Sequence, residues 1–190
     1  SSVAQLGFIT LGIFALNPQG AQGALLQMVN HGLVVAPLLF IVGLLAQRAG
    51  GSEDVREMGG IAYRAPILAS MFLIVALATL AIPGSSNFIG EFLILFGVFN
   101  AKLGISMIAA LGVVGAAVYA LRLYIRALHN RVGPKVNSFE ITLREAVPVV
   151  GMVIVILVLA FYPQFGLRRS APSVRGSLAA AQLQGAASHQ

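Results

Sequence analysis

Cysteine is absent from this 190-residue sequence. The chain therefore holds no disulfide, thiolate metal site, iron–sulfur cluster or thioether-linked haem of its own, and the redox compartment stays undetermined. The sequence also lacks a P-loop, a dinucleotide-binding fingerprint, an HExxH zinc motif and a nucleophile elbow. We therefore expect no chemical active site within this chain.

Charged residues are scarce as well. They make up 9% of the chain, against 58% hydrophobic residues, and the mean hydropathy is +0.90. A soluble globule of this composition would expose a large apolar surface, so the chain is predicted to lie in a lipid bilayer. The net charge of +6 resides at the ends of apolar runs, where lipid head groups lie, and not in a basic stripe. No nucleic-acid partner is expected.

The apolar runs predict an all-α fold, a polytopic bundle of transmembrane helices with about five spans. The spans are predicted at residues 3–16, 23–47, 66–100, 104–127 and 146–163, and a polar tail occupies 164–190. Residues 1–163 would then form one helical membrane domain. The chain enters an apolar pattern at Ser1 without a signal peptide, so we expect it to be the C-terminal portion of a longer membrane protein.

The third run, 66–100, is too long for one regular span. Its 35 residues would form a helix of about 52 Å, against a hydrocarbon core of about 30 Å. Pro83 removes a backbone donor and Gly84 adds freedom, so the helix is predicted to break there. Two arrangements remain open on this basis. The run is either a hairpin that crosses twice or one crossing made of two half-helices.

The distribution of Lys and Arg favours one broken crossing, because these residues concentrate on the cytoplasmic side. One broken crossing divides them 8 to 4, and a hairpin divides them 7 to 5. In the favoured arrangement the C-terminus lies outside. The cytoplasmic group is then Arg48, Arg56, Arg64, Arg122, Arg126, Arg131, Lys135 and Arg144, opposite Lys102, Arg168, Arg169 and Arg175.

Glu91 is the only charged side chain between Pro66 and Asn100. It falls about one turn into the second half-helix, where Ser85, Ser86 and Asn87 are predicted to cap the free amides. The helix terminus favours the carboxylate and desolvation favours the neutral acid, so the group is expected to load and release a proton. The alternative is an inert, solvated carboxylate at the interface.

His31 is the second candidate, about 13 Å into the second span by helix geometry. Asn30 is beside it, Gln27 lies one turn before it, and its imidazole changes charge near neutral pH. A proton relay through His31 and Glu91 is predicted; the plainer alternative is a neutral histidine bonded to a helix carbonyl.

The remaining polar candidates are weaker. His129 and His189 are assigned no role. Arg122 and Arg126 are expected to reach lipid head groups.

Four segments carry a family resemblance: SSVAQLGFITLGIFALN, GALLQMVNHGL, MGGIAYRAP and LAIPGSSNFIGEFLILFG. They resemble, in order and spacing from Ser1 to about Pro163, the proton-pumping, antiporter-like subunits of NADH–quinone oxidoreductase, most closely the subunit M branch. The resemblance implies the last five of fourteen transmembrane helices, with a discontinuous twelfth. His31 then matches the histidine of the eleventh helix and Glu91 the acid of the twelfth, where sister subunits generally carry lysine.

The resemblance implies proton translocation as one subunit of a respiratory enzyme, in what would be a bacterial cell membrane. It implies other membrane-arm subunits and the bilayer as partners, and flavin and iron–sulfur clusters in other subunits, with no cofactor or metal in this chain. The family's earlier axis residues lie upstream of Ser1, so this chain alone is not expected to pump. Two alternatives remain: a subunit of a cation/proton antiporter or energy-converting hydrogenase, and a structural membrane scaffold.

Overall fold

The computed structural model describes residues 2–129, 136 and 139–187, and throughout these ranges the regular secondary structure is helical. Arg131, Lys135 and His189, which entered the sequence predictions, lie outside the described residues. The predicted all-α bundle is confirmed. Its helices are α1 Ser2–Phe14, α2 Pro18–Arg48, α3 Ile61–Arg64, α4 Pro66–Thr79, α5 Ser86–Ala101, α6 Leu103–Leu128, α7 Leu143–Phe161 and α8 Gln164–Ala187.

The bundle is organised around α2, which packs against α1, α4, α5, α7 and α8. This helix has 31 residues and begins with Pro18 after the cap residue Asn17, whose side chain accepts a hydrogen bond from the Gly20 amide. Proline suits a first helical position because it has no amide hydrogen to satisfy there. Helices α2, α6 and α7 are each long and apolar enough to cross a bilayer.

The predicted break between residues 66 and 100 is present. Helix α4 ends at Thr79 and α5 begins at Ser86, and the connecting segment has positive φ angles at Ala81 (49°) and Gly84 (95°). Pro83 lies between them and cannot donate a backbone hydrogen bond. The broken helix therefore has the local cause that the sequence indicated.

The two half-helices lie one after the other along α2. Helix α5 packs beside the first half of α2, where the Asn30 amide donates to the Ser86 carbonyl and Gly97 contacts Gly20. The start of α4 lies at the other end of α2, because Glu140 contacts both Arg48 and the Ile67 amide. A hairpin would place the start of α4 beside the end of α5. The prediction of one discontinuous helix is confirmed.

Glycines allow α1, α2 and α5 to approach closely. A Cβ at Gly23 would lie 2.7 Å from the Ile94 amide nitrogen and 2.9 Å from the Gly90 carbonyl oxygen. A Cβ at Gly12 would lie 2.8 Å from the Gly20 carbonyl oxygen. Because van der Waals contact is a main attraction between helices in lipid, small residues at such crossings favour tight association. This packing brings the polar side chains of the three helices together.

At the opposite end of α2, Arg48 holds the segment that leads into α7. Its guanidinium is fully buried, donates to the carbonyls of Leu44, Phe139 and Glu140, and pairs with Glu145 at 3.1 Å. The Glu140 carboxylate accepts hydrogen bonds from the Ile67 and Leu68 amides at 3.0 and 3.2 Å and so caps α4. These contacts fix the start of the first half-helix.

The predicted polar tail is largely helical. Helix α8 begins at Gln164 and packs against α2, with Gly166 beside Leu26. The sequence predicted its polarity and not this helix, because its apolar residues do not form a clear stripe. The division into a membrane domain at 1–163 and a tail at 164–190 stays a prediction.

Candidate functional site

Glu91 lies on the buried face of α5, in its second turn after the helix break. Only 6% of the residue is exposed. Ser86, Asn87, Gly90 and Ile94 share this buried face. An acidic side chain in the interior of a membrane bundle is costly and usually marks a functional site. The structure thus buries the carboxyl group within the protein, away from the bundle surface.

A chain of carboxamides connects Glu91 to α1 and α2. The Gln5 amide nitrogen Nε2 donates to Glu91 Oε1 at 2.6 Å. Gln27 Nε2 in turn donates to Gln5 Oε1 at 2.7 Å. Gln5 is 6% exposed and Gln27 is completely buried. Three helices therefore contribute one side chain each to a buried polar chain that ends on the carboxyl group.

Further polar atoms surround the start of α5. Asn30 Nδ2 donates to the Ser86 carbonyl at 2.6 Å and so connects α2 to the first turn of α5. Five buried side-chain oxygens have no hydrogen-bond partner among the described residues: Gln27 Oε1, Asn30 Oδ1, Ser85 Oγ, Ser86 Oγ and Asn87 Oδ1. Unpaired buried oxygens of this kind usually bind water or an ion. The helix break is thus a polar region within an apolar bundle.

The predicted side-chain caps are not formed, and this part of the sequence interpretation is wrong. Ser85 is the cap residue by position, but its side chain makes no capping hydrogen bond. The backbone satisfies the turn instead, because the Ser85 amide donates to Ile82 and the Phe88 amide donates to the Ser85 carbonyl. Pro83 and Gly84 thus lie in a turn whose free amides bond to backbone carbonyls of the same segment. The hydroxyls of Ser85 and Ser86 and the side-chain Oδ1 of Asn87 are left without a partner among the residues that the structure describes.

His31 lies on α2, one turn beyond Gln27, and is partly buried. It makes no side-chain hydrogen bond to any residue in the described ranges. Hydrogen bonds join Glu91 to Gln5 and Gln5 to Gln27, and within the described residues none joins His31 to that chain. The predicted relay stays a prediction. His129 lies at the end of α6 with its ring 5.3 Å from that of Tyr124.

Sequence reasoning missed Gln5 and treated Gln27 only as a polar neighbour of His31. The available signal was a carboxamide within an apolar segment on each of two successive helices. Neither residue ionises, so a search for titratable groups passes over both. Their distance from Glu91 in the sequence, 86 residues for Gln5, hides the contact.

A cleft of about 200 Å³ lies at the helix break, on the side that faces α7. Ile74 and Leu77 of α4 and Ile156 and Leu157 of α7 contribute to its lining, and Pro83, Gly84 and Ser85 form its edge. The cleft is mostly apolar. Within the described residues, no group of three or more His, Cys, Asp or Glu side chains is arranged to hold a metal ion.

A polytopic helical bundle with a broken helix and a buried acid beside the break defines a class of helical membrane protein with a discontinuous helix. The comparison with protein families agrees with this class. The family described as NADH:quinone oxidoreductase/Mrp antiporter, TM matches residues 1–118. The chain belongs to this family.

Individual relatives refine the assignment. The chain is 38% identical over 176 residues to NADH-quinone oxidoreductase subunit M of Pseudomonas aeruginosa, covering 93% of this chain and 34% of the relative. Subunit M of Rickettsia bellii is 33% identical over 165 residues, covering 86% of this chain and 33% of the relative. The chain is therefore homologous to a subunit of an enzyme complex and spans about a third of the length of these relatives.

Solved structures share the fold. A chain of respiratory complex I from Thermus thermophilus with bound NADH matches with a TM-score of 0.81 at 31% identity, covering 92% of this chain and 37% of that chain. A chain of the Mrp complex from Dietzia matches with a TM-score of 0.79 at 18% identity, covering 90% of this chain and 40% of that chain. The second match establishes the shared fold alone.

Proposed function

We propose that this chain takes part in proton translocation across an energy-transducing membrane, as part of a membrane-arm subunit of NADH–quinone oxidoreductase. The observation that carries the proposal is the buried Glu91 carboxyl group beside the helix break, held by Gln5 at 2.6 Å. The similarity to subunit M over most of this chain supports the identity of the complex.

Glu91 is proposed to take up and release the translocated proton. Its surroundings suit this role, because one carboxyl oxygen has a protein donor and unpaired oxygens nearby offer sites for water. His31, which lies one turn beyond Gln27 on α2, is proposed to relay charge towards Glu91. Moving one charge against 100 mV costs about 2.3 kcal/mol, so coupling from neighbouring subunits must shift the protonation of Glu91 by at least that order.

The partners are proposed to be other membrane-arm subunits and the bilayer. Exposed apolar side chains on α6, such as Ile108 at 73% and Leu111 at 70%, suit such surroundings. Flavin and iron–sulfur clusters are expected in other subunits. We assign the chain to a bacterial cell membrane, with the arginine-bearing ends of α2 and α6 in the cytoplasm and the C-terminus outside.

A cation/proton antiporter subunit is the second candidate, favoured by the fold shared with the Mrp complex. The higher identity to the complex I chain, 31% against 18%, favours the respiratory function. Energy-converting hydrogenases and a purely structural scaffold are further alternatives. Translocation that depends on sodium would favour the antiporter, and a Glu91 carboxyl group that never changes protonation would favour the scaffold.

Glu91→Gln in the full-length subunit, assembled in its complex, tests the proposal. Glutamine retains an oxygen that accepts the Gln5 hydrogen bond, so assembly should be preserved, but it cannot release a proton. We expect proton translocation into vesicles to be lost or strongly reduced. Glu53→Gln, the same chemical change at an exposed loop residue, should translocate at the wild-type rate. Full translocation by assembled Glu91→Gln complex would remove the carboxylate from the mechanism.

A further inference from the structure

The carboxamide chain has a direction. Gln27 donates to Gln5, and Gln5 donates to Glu91. Each carboxamide presents an acceptor oxygen on one side and a donor nitrogen on the other, so rotating a carboxamide by half a turn exchanges its donor and acceptor. The chain therefore has two orientations with the same number of hydrogen bonds, and the observed one suits an acceptor at Glu91.

The protonation state of Glu91 selects between these orientations. An ionised carboxylate only accepts hydrogen bonds, whereas the neutral acid has one O–H group that donates. With the neutral acid, Gln5 can turn its oxygen to Glu91 and its nitrogen to Gln27, which then also rotates. In the ionised state this reversed orientation would place the Gln5 oxygen against the carboxylate, and the repulsion would disfavour it.

The Gln27 end of the carboxamide chain permits this reversal. Gln27 Oε1 is buried and has no hydrogen-bond partner among the described residues. A carboxamide held by a fixed donor at that atom would lose a hydrogen bond on rotation, and Gln27 loses none. Gly90 faces this carboxamide, and a Cβ there would meet Gln27 Oε1. The absence of a side chain at Gly90 leaves the space in which the Gln27 carboxamide lies.

We infer that Gln5 and Gln27 form a reversible hydrogen-bonded switch, whose direction reports the protonation of Glu91 to α2 one turn from His31. The inference rests on the proposed function of Glu91. Gln5 and Gln27 are positioning residues in this scheme. The proton itself does not pass through them, because a carboxamide does not gain and lose protons near neutral pH; Glu91 exchanges its proton with water.

Few other ionisable side chains lie on the helices that surround Gln5 and Gln27. Helices α1 and α4 carry no ionisable side chain, α5 carries only Glu91, and α2 carries only His31 and Arg48. Lys102 lies just before α6, and the charged residues of α6 and α7 lie in the last two turns of α6 and the first turn of α7: Arg122, Arg126, Arg144 and Glu145. Helix α8 adds three arginines near its start and middle: Arg168, Arg169 and Arg175. Glu91 is thus the ionisable group that directly contacts the switch, and His31 is the nearest one along α2.

Infrared difference spectroscopy after a pH change tests the inference in the full-length subunit within its complex. Glutamine labelled in its side-chain carbonyl identifies the carboxamide bands. We expect bands that disappear in Gln5→Met or Gln27→Met to change together with the protonation of the Glu91 carboxyl, and to remain unchanged in Glu91→Gln. Labelled carboxamide bands that stay constant while the carboxyl protonates would overturn the switch. The wild-type measurement can overturn the switch even if a variant fails to assemble, because constant bands need no assignment to a particular glutamine.

Translocation assays separate this inference from the proposed function. Gln5→Met should reduce the translocation rate on the order of ten-fold, the effect of one hydrogen bond to a charged group. Gln19→Met, the same change at an exposed position of α2, should leave the rate unchanged. A Gln5→Met complex that assembles and translocates at the wild-type rate would refute the switch while leaving Glu91 in place. Full translocation by Glu91→Gln would refute the proposed function itself.

Discussion

Replacing Gly23 with alanine should separate α2 from α5. The new Cβ would lie 2.7 Å from the Ile94 amide nitrogen and 2.9 Å from the Gly90 carbonyl oxygen, whereas ordinary contact begins at 3.4 Å. Both neighbours are backbone atoms and cannot rotate away. The helices must therefore move apart by about 0.7 Å, at an expected cost of about 1–3 kcal/mol for overpacking.

Gly32→Ala provides the matched control. It lies on the same helix with nothing within 4 Å of its Cβ position. Alanine gains about 1 kcal/mol of helix propensity over glycine at either site. This gain cancels between the two variants, so the difference in their free energies of unfolding isolates the packing cost.

Unfolding of the full-length subunit in detergent, followed by circular dichroism, measures this difference. Gly23→Ala should unfold at a lower temperature or denaturant concentration than Gly32→Ala. Equal stability of the two variants would show that the close approach of α2 and α5 does not contribute to the stability of the bundle. The same result would weaken the case that glycine packing positions Gln27 beside Gly90 of α5.

Two further predictions concern the cluster at the other end of α2. The backbone amides of Ile67, Ile141 and Leu68, with the charge of Arg48, outweigh burial and hold the pKa of Glu140 below its ordinary value of 4.5. The Glu140 carboxylate should thus contribute fully to the free energy of unfolding above pH 4.5, and this contribution should decline below that pH. Unfolding curves of the wild type and Glu140→Gln should therefore converge at acidic pH. A difference that persists there would contradict the cap. Arg48→Met should cost roughly 3 kcal/mol of unfolding free energy, because three carbonyls lose the guanidinium donor and Glu145 loses its cationic partner. Arg56→Met, at a side chain 84% exposed, should melt like the wild type, and equal melting of both arginine variants would refute a stabilising role for Arg48.

Much of the fold could be predicted because its causes are local. Apolar runs identify helices that lie in lipid, and Pro83 with Gly84 breaks the third run wherever it is placed, since proline lacks an amide hydrogen. The single broken crossing followed from the distribution of arginine and lysine. The helical form of residues 164–187 did not follow, because a polar segment without a clear apolar stripe gives no periodic signal.

The candidate site was likewise predictable only where its causes are local in the sequence. The sequence alone determined that one acid, Glu91, follows a helix break inside an apolar run, because composition and backbone chemistry act over a few residues. Only the tertiary structure decided which groups meet that acid. It placed Gln5 and Gln27 in a hydrogen-bonded chain with Glu91, left the Ser85 side chain without its expected capping bond, and gave His31 no hydrogen bond to that chain within the described residues. The physical reason is that a hydrogen bond forms between atoms adjacent in space, and helix packing brings together Gln5 and Glu91 although 86 residues separate them in the chain.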